Sequence, residues 1–192
     1  EEKHLSRREW LKGLGAAGLG SVLLSTGVTA GASSEKPAES SKPRVVPTRP
    51  FGKTGVRVSC LALGGMFDIP SNQLMLKQAL KWGVTYWDTA DSYGWGKNEK
   101  AIGKYFARFP DDRKKVFLVT KAGTSNPDKL NEKLDTSLQR MNTSYVDLYL
   151  IHYVSDVKNE LTDAVKTWAE EARSSGKIRF FGFSAHKNME DS

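Results

Sequence analysis

Cysteine is almost absent from this chain of 192 residues, which contains only Cys60. A single thiol excludes an intramolecular disulfide framework, so packing must hold the fold together. Cys60 lies in the apolar run of residues 58–63, and we therefore expect it to be a buried core residue rather than a nucleophile. We predict no metal site.

The sequence also lacks a dense basic cluster, although its formal charge is +7 and its pI is about 9.4. Lysines and arginines are scattered, and the helical segments mix both signs of charge. The densest basic run after the N-terminal leader, residues 113–115, directly follows two aspartates. A nucleic-acid partner is therefore not expected, and this run is interpreted as a solvated turn before a strand.

The N-terminal leader has no apolar stretch that is strongly suited to a stable membrane span. An uncharged segment rich in glycine, alanine and leucine, residues 13–34, follows a basic region and ends in small residues. This order is typical of a secretory signal peptide, and cleavage is favoured over the alternative, a transmembrane anchor. Residues 6–12 resemble the twin-arginine pattern Ser-Arg-Arg-x-Phe-Leu-Lys, with Trp10 in place of Phe.

These patterns divide the chain into three parts. Residues 1–32 are predicted to be a twin-arginine-type signal peptide, and residues 33–46, rich in proline and serine, a flexible linker. Residues 47–192 carry the fold. We therefore expect export to the periplasm or another extracytoplasmic site, with the twin-arginine machinery as a partner of the leader.

Polar residues close four short apolar runs at intervals of 33, 31 and 32 residues; they are Asp88, Lys121, His152 and Ser184. Each interval fits one strand, one crossover helix and two loops, which predicts parallel βα units. In a βα barrel, side chains at the C-terminal strand ends meet at one mouth. The sequence therefore predicts that an acid, a base, an imidazole and a hydroxyl surround one pocket.

The same alternation predicts an α/β fold with five parallel strands and four crossover helices. The first strand is placed at residues 57–63, and the helices at about 71–82, 98–106, 127–141 and 160–175, with Ser71 as the first N-cap. A closed (β/α)8 barrel needs eight strands, typically in about 250 residues. We therefore predict a TIM barrel of which the first five strands are present, with a smaller open sheet as the alternative.

The predicted mouth contains the parts of a carbonyl reductase. Asp88 and Lys121 should form an ion pair, and Tyr93 lies in the loop that follows Asp88. An ammonium beside a phenol stabilises the phenolate, so we expect the pKa of Tyr93 to be lowered. Tyr93 and His152 can both donate a hydrogen bond to the oxygen of a substrate carbonyl group, which is the arrangement that reduction to an alcohol requires. Because none of these side chains can deliver a hydride, a nicotinamide cofactor is implied.

Several blocks of the sequence resemble the aldo-keto reductase family. Residues 83–94 are similar to its signature, and further blocks follow in the same order at residues 51–55 with 64–66, 98–103, 119–121, 146–152 and 176–184. The resemblance covers about residues 48–187. It implies an enzyme that reduces aldehydes, ketones or sugar carbonyls with NADP(H), or alternatively with NAD(H).

The resemblance also implies a role for each residue at the mouth. Tyr93 would donate the proton, Lys121 would lower its pKa, and Asp88 would hold Lys121 and also contact the cofactor. His152 would orient the carbonyl group. Ser184 would bind the nicotinamide carboxamide, with His186 as a further cofactor contact two residues later.

Two other functions remain open on the same fold. Some members of the family serve as cofactor-binding regulatory or sensor proteins, and this chain could have that role. It could also be an inactive fragment of a longer product, because the resemblance implies cofactor-binding segments after the seventh and eighth strands, beyond the five predicted here.

Overall fold

A computed structural model describes residues 45–186. The predicted signal peptide and almost all of the predicted linker lie outside these residues. The described strands are β1 Thr48–Pro50, β2 Arg57–Ser59, β3 Ala62–Gly64, β4 Tyr86–Asp88, β5 Phe117–Ala122, β6 Val146–Val154 and β7 Ile178–Ala185. The described helices are α1 Gln73–Lys81, α2 Lys97–Arg108, α3 Pro110–Arg113, α4 Pro127–Arg140, α5 Val157–Glu160 and α6 Asp163–Ser174, with a 3₁₀ turn at Tyr93–Gly96.

The strands form one antiparallel hairpin and one parallel sheet. Strands β1 and β2 pair antiparallel, whereas β3 to β7 lie in sequence order in a five-stranded sheet with every neighbouring pair parallel. Helical segments connect the successive parallel strands. The predicted α/β architecture with five parallel strands is therefore confirmed. Among the described residues, β7 pairs only with β6.

The main core lies between the sheet and the helices that cover it. Each of the longer helices buries an apolar stripe, and the fully buried residues include Leu76 of α1, Ile102 of α2, Leu134 of α4 and Val165 of α6. These stripes recur at helical spacing, so burial of one face stabilises each helix on the sheet.

Aromatic rings cover the opposite face of the sheet. Phe51, from the turn of the β1–β2 hairpin, packs edge-on against Phe117, and the ring centroids lie 5.3 Å apart. Phe117 in turn stacks on Tyr86 and on Phe180. The hairpin therefore contributes Phe51 to an apolar cluster on this face of the sheet.

Several predicted boundaries differ from the structure. The predicted first strand is split into β2 and β3, because the Ser59 hydroxyl donates to the Leu61 carbonyl (2.6 Å) and turns the chain between them. The first helix begins at Gln73, with Asn72 rather than Ser71 at its cap position. The fourth predicted helix is found as α6, which begins at Asp163 after the Thr162 cap, and α5 is a separate short helix before it.

Cys60 is exposed, so the prediction of a buried core cysteine is wrong. Its backbone N–H donates to the Pro47 carbonyl (2.8 Å) at the end of the hairpin, where the chain leaves β2. The neighbouring Leu61 is also 58% exposed. An apolar run in the sequence therefore crosses the surface here between two short strands.

Candidate active site

The C-terminal ends of the parallel strands bring the predicted residues together. Asp88 is the last residue of β4, and Lys121 lies one residue before the end of β5. His152 and Ser184 lie near the ends of β6 and β7. The register pairs Asp88 with Val119 and Lys121 with Leu150, so the polar residues occupy successive strand ends at one edge of the sheet.

Lys121 is held by two oxygen acceptors. Its Nζ lies 2.5 Å from Asp88 Oδ1 and 2.8 Å from the Thr89 carbonyl oxygen. The lysine is 5% exposed, whereas the Asp88 side chain is about one quarter exposed. The predicted ion pair is therefore present, and it fixes the ammonium group at the edge of the site.

Tyr93 begins the 3₁₀ turn after β4 and lies beside Lys121. Lys121 Nζ is 4.9 Å from the centroid of the Tyr93 ring. Burial, followed by the negative charge of Asp88, nevertheless raises the pKa of Tyr93. The predicted lowering of this pKa is therefore wrong for the chain as described. Partial burial disfavours the charged phenolate, and the carboxylate of Asp88 adds to that effect.

His152 lies on the other side of the Tyr93 ring. The two ring centroids are 5.8 Å apart, and the rings meet edge to face at 72°. Burial, followed by the positive charge of Lys121, lowers the pKa of His152 to about 4. The imidazole is consequently neutral at pH 7, and its buried Nδ1 has no hydrogen-bond partner among the described residues. A neutral imidazole can donate one N–H to a ligand oxygen.

Ser184 and His186 lie where β7 ends. The Ser184 Oγ atom is buried and has no hydrogen-bond partner among residues 45–186. His186 is exposed, and its ring centroid is 6.3 Å from that of His152 and 5.4 Å from that of Tyr153. The structure thus gathers these residues with the Asp88, Tyr93 and Lys121 group at one end of the sheet. Their roles in cofactor binding stay predictions.

Tyr153 is a site residue that the sequence did not reveal. It has a backbone φ of 65°, in the left-handed region, at an irregularity in the pairing of β6 with β7. Its ring stacks on His152 with a centroid distance of 3.4 Å, and it lines a cleft together with Tyr93 and Met66. No sequence pattern signals the irregularity, and only the position after His152 could have drawn attention to this residue.

A buried charge network behind the site was also missed. Glu99 is fully buried; it accepts a hydrogen bond from Thr120 Oγ1 (2.7 Å) and pairs with Arg140 Nη1 (3.1 Å). Arg140 also approaches the Asp91 carbonyl at 3.4 Å, and Lys133 binds the Asp91 carboxylate at 3.1 Å. These contacts tie residues 89–96, the Tyr93 loop, to β5 and α4. From the sequence, Glu99 is expected only as one of the first residues of a helix, and nothing there indicates its buried ion pair with Arg140.

Residues 45–186 offer neither a metal site nor a membrane span. This part of the chain has no group of three or more His, Cys, Asp or Glu side chains placed to hold a metal ion. None of its helices has the length and apolar character needed to cross a membrane. The cluster at the strand ends is therefore the candidate active site of the described residues.

Residues 61–191 match the model of the aldo/keto reductase family. This chain belongs to that family. The match includes each of the strand-end residues described above, together with Tyr93 and its loop. The family also identifies the parallel sheet as part of a TIM barrel, so the predicted fold class is confirmed.

Two named relatives and one solved structure are similar to this chain. The chain is 34% identical over 159 residues to the aldo-keto reductase yakc [NADP(+)] of Schizosaccharomyces pombe, covering 72% of this chain and 45% of the relative. It is 30% identical to a putative voltage-gated potassium channel subunit beta from the same organism, covering 74% of this chain and 46% of the relative. The holo form of an aldo-keto reductase from Bacillus halodurans matches with a TM-score of 0.65 and 28% identity, covering 73% of this chain and 50% of that structure.

The chain therefore spans about half the length of the relatives it matches. Family membership supports oxidoreductase activity in general terms.

Proposed function

We propose that this protein reduces the carbonyl group of an aldehyde, ketone or sugar to an alcohol with NADPH, or alternatively with NADH. The observation that carries the proposal is the proximity of three groups: Lys121 Nζ lies 4.9 Å, and the His152 ring centroid 5.8 Å, from the centroid of the Tyr93 ring. Their chemistry is complementary, because a protonated phenol, an ammonium group and a neutral imidazole can all stabilise negative charge on one oxygen.

The proposed roles follow from the charge states in the site. The raised pKa keeps the Tyr93 phenol protonated, so it has a proton to give to the carbonyl oxygen. Neutral His152 donates an N–H to the same oxygen and orients it. Lys121, fixed by Asp88, stabilises the charge left on the phenolate after proton transfer. A bound nicotinamide cofactor supplies the hydride for the carbonyl carbon.

The residues present fit a nicotinamide. A buried Ser184 hydroxyl without a partner is costly unless a ligand satisfies it, and a carboxamide offers both a donor and an acceptor. We propose that Ser184 binds this carboxamide, with Asp88 and His186 as further cofactor contacts. The partly exposed Asp88 carboxylate and the exposed His186 ring are both accessible from the mouth.

Cofactor binding is the first test of the proposal. NADPH and NADH are titrated into the full chain while its tryptophan fluorescence is recorded. We expect saturable quenching by at least one of them, and weaker binding after Ser184→Ala. An absence of quenching in a chain shown to be folded by circular dichroism would contradict the proposed cofactor site.

Turnover is tested by consumption of NADPH with a panel of aldehydes, ketones and sugars. Tyr93→Phe should abolish turnover and leave cofactor binding intact, because only the donated proton is removed. The matched control is Tyr145→Phe, whose ring lies at the start of β6 and packs against Arg113, with the centroid 4.0 Å from its Cζ. Retention of most wild-type turnover by Tyr93→Phe would show that another group donates the proton.

A regulatory role is the second candidate function. The similarity to the putative potassium channel subunit beta favours a protein that keeps the cofactor site for sensing or assembly. Tight cofactor binding without turnover of any carbonyl in the panel would support this role over reduction.

We also propose that residues 1–32 direct export through the twin-arginine route. The support is the sequence pattern around Arg7 and Arg8. Fractionation of cells that express the chain should find it outside the cytoplasm. Replacement of both arginines by lysine should retain it inside, and unchanged export would contradict the proposal.

A further inference from the structure

Helices α1 and α2 present six exposed cations on the outside of the sheet. None of them forms an ion pair with another residue in the described range 45–186. We call this surface the basic face, and its cations are Lys77, Lys81, Lys97, Lys100, Lys104 and Arg108. Unpaired charges of one sign on adjoining helices create a positive local potential.

The helical period places these cations on common stripes. Lys77 and Lys81 are four residues apart on α1, and on α2 the successive intervals from Lys97 are three, four and four residues. Residues three or four apart are neighbours on a helix surface. Each helix therefore carries its cations in one row.

Contacts between the two helices bring the rows side by side. The Gln73 side chain of α1 donates to the Ala101 carbonyl of α2 at 3.1 Å. At the other end, Lys77 Nζ and Arg108 Cζ approach the ring of the same residue, Phe109, at 5.1 and 5.3 Å from its centroid. The nearby Asp112 is bonded to Lys115 at 2.7 Å. The two rows therefore form one surface.

Exposed apolar side chains lie among these charges. Leu74 is 82% exposed and Met75 is 42% exposed on α1, and both line a shallow groove with Lys77 and Lys81. Trp82, directly after the helix, is 51% exposed. Cations next to exposed leucine, methionine and tryptophan match a membrane interface, where phosphates meet the upper acyl chains.

We propose that the basic face binds the surface of a bilayer that contains anionic phospholipids. The cations pair with headgroup phosphates, while Leu74, Met75 and Trp82 enter the interfacial layer. The exposed apolar side chains favour a membrane over a nucleic acid as the partner, because a phosphate backbone offers Leu74 and Met75 no apolar surface to contact. The inference does not depend on the proposed reductase activity.

The test is co-sedimentation of the full chain with lipid vesicles. One set of vesicles contains phosphatidylcholine alone, and the other contains phosphatidylcholine mixed with phosphatidylglycerol. Binding should require the anionic lipid and weaken with salt. Each cation near an anionic surface strengthens binding about fivefold, so the variant Lys81→Gln, Lys100→Gln, Lys104→Gln should bind about a hundredfold more weakly.

A control variant that loses the same charge tests whether the vesicles bind the basic face or another part of the chain, including residues 1–44. The control variant Lys114→Gln, Lys129→Gln, Lys158→Gln removes three exposed lysines elsewhere and should retain binding within a few fold. Leu74→Gln should lower the binding that survives high salt. Equal losses in the two triple variants, or equal binding to both kinds of vesicle, would overturn the proposal. So would binding of duplex DNA in preference to the anionic vesicles, if the basic-face variant abolished it.

Discussion

Replacement of Glu99 by alanine should destabilise the chain more than replacement of any exposed carboxylate. Glu99 is fully buried in α2, where its two oxygens meet the Thr120 hydroxyl and the Arg140 guanidinium. Alanine removes both interactions. It leaves the hydroxyl of Thr120, which is itself fully buried, without its acceptor and leaves the arginine without its counter-ion.

The expected magnitude follows from these two losses. Removal of one partner from a buried ion pair costs about 3–5 kcal/mol, but the Arg140 side chain is 27% exposed and water can partly replace Glu99. A buried hydroxyl left without its acceptor costs about 1–3 kcal/mol. We expect Glu99→Ala to lower the free energy of unfolding by about 3 kcal/mol. Glu99→Gln should cost about 2 kcal/mol, because the amide oxygen still accepts from Thr120 but Arg140 loses its counter-ion.

Urea unfolding followed by circular dichroism measures this difference. The matched control is Glu170→Ala, which removes an exposed partner of Arg173 at 2.9 Å and should change the free energy of unfolding by about 0.5 kcal/mol or less. Hydrogen exchange at the Asp91 and Tyr93 amides should accelerate in Glu99→Ala, because Arg140 loses the contact that holds it against the loop. A loss below about 1 kcal/mol, with unchanged exchange, would refute the reasoning.

Two further predictions concern the core and the imidazole. Leu134→Ala should cost about 2–5 kcal/mol in urea unfolding, because its side chain is fully buried, whereas Leu74→Ala should cost little; equal costs would contradict the described core. His152 has a pKa of about 4 in the fold and 6.5 as its ordinary value, so the unfolded chain binds the proton more readily. Stability should therefore fall as the pH falls from 6.5 towards 4, and His152→Gln should show a smaller fall; identical profiles would contradict the lowered pKa.

The periodic part of the fold could be predicted from the sequence. The helix predicted at 127–141 is found as α4, Pro127–Arg140. The strands β4 to β7 lie where apolar runs end in a polar residue. Both patterns are local, because an apolar stripe and its terminating residue appear in the sequence itself. The division of residues 57–63 into two strands could not be predicted, because it depends on the Ser59 hydroxyl, which also accepts from the Thr85 and Tyr86 amides.

The sequence predicted that Tyr93, Lys121 and His152 lie close together, but not that Tyr153 joins them or that the pKa of Tyr93 is raised. Sequence spacing can place Lys121 near Tyr93, and one positive neighbour suggests a lowered phenol pKa. The structure adds two opposing effects, burial of the ring and the negative charge of Asp88. The size of either effect on the pKa depends on how deeply the Tyr93 ring is buried and how close it lies to Asp88, which the sequence does not give. The Tyr93 phenol is therefore protonated in this form, and its ionisation requires a change that reduces its burial or the influence of Asp88.

The basic face shows the same limitation for charge. Counted along the sequence, its cations are separated by acidic and apolar residues, and no dense basic run is visible. The lysines and the other residues alternate with the period of the helix, however. Glu99 and its apolar neighbours are therefore buried, while Lys100 and Lys104 are exposed. Packing of α2 against α1 then adds Lys77 and Lys81 to the same surface. A mixed-sign sequence thus folds so that exposed cations of two helices lie together, and this grouping, which the sequence order does not show, is the basis of the proposed binding to an anionic membrane surface.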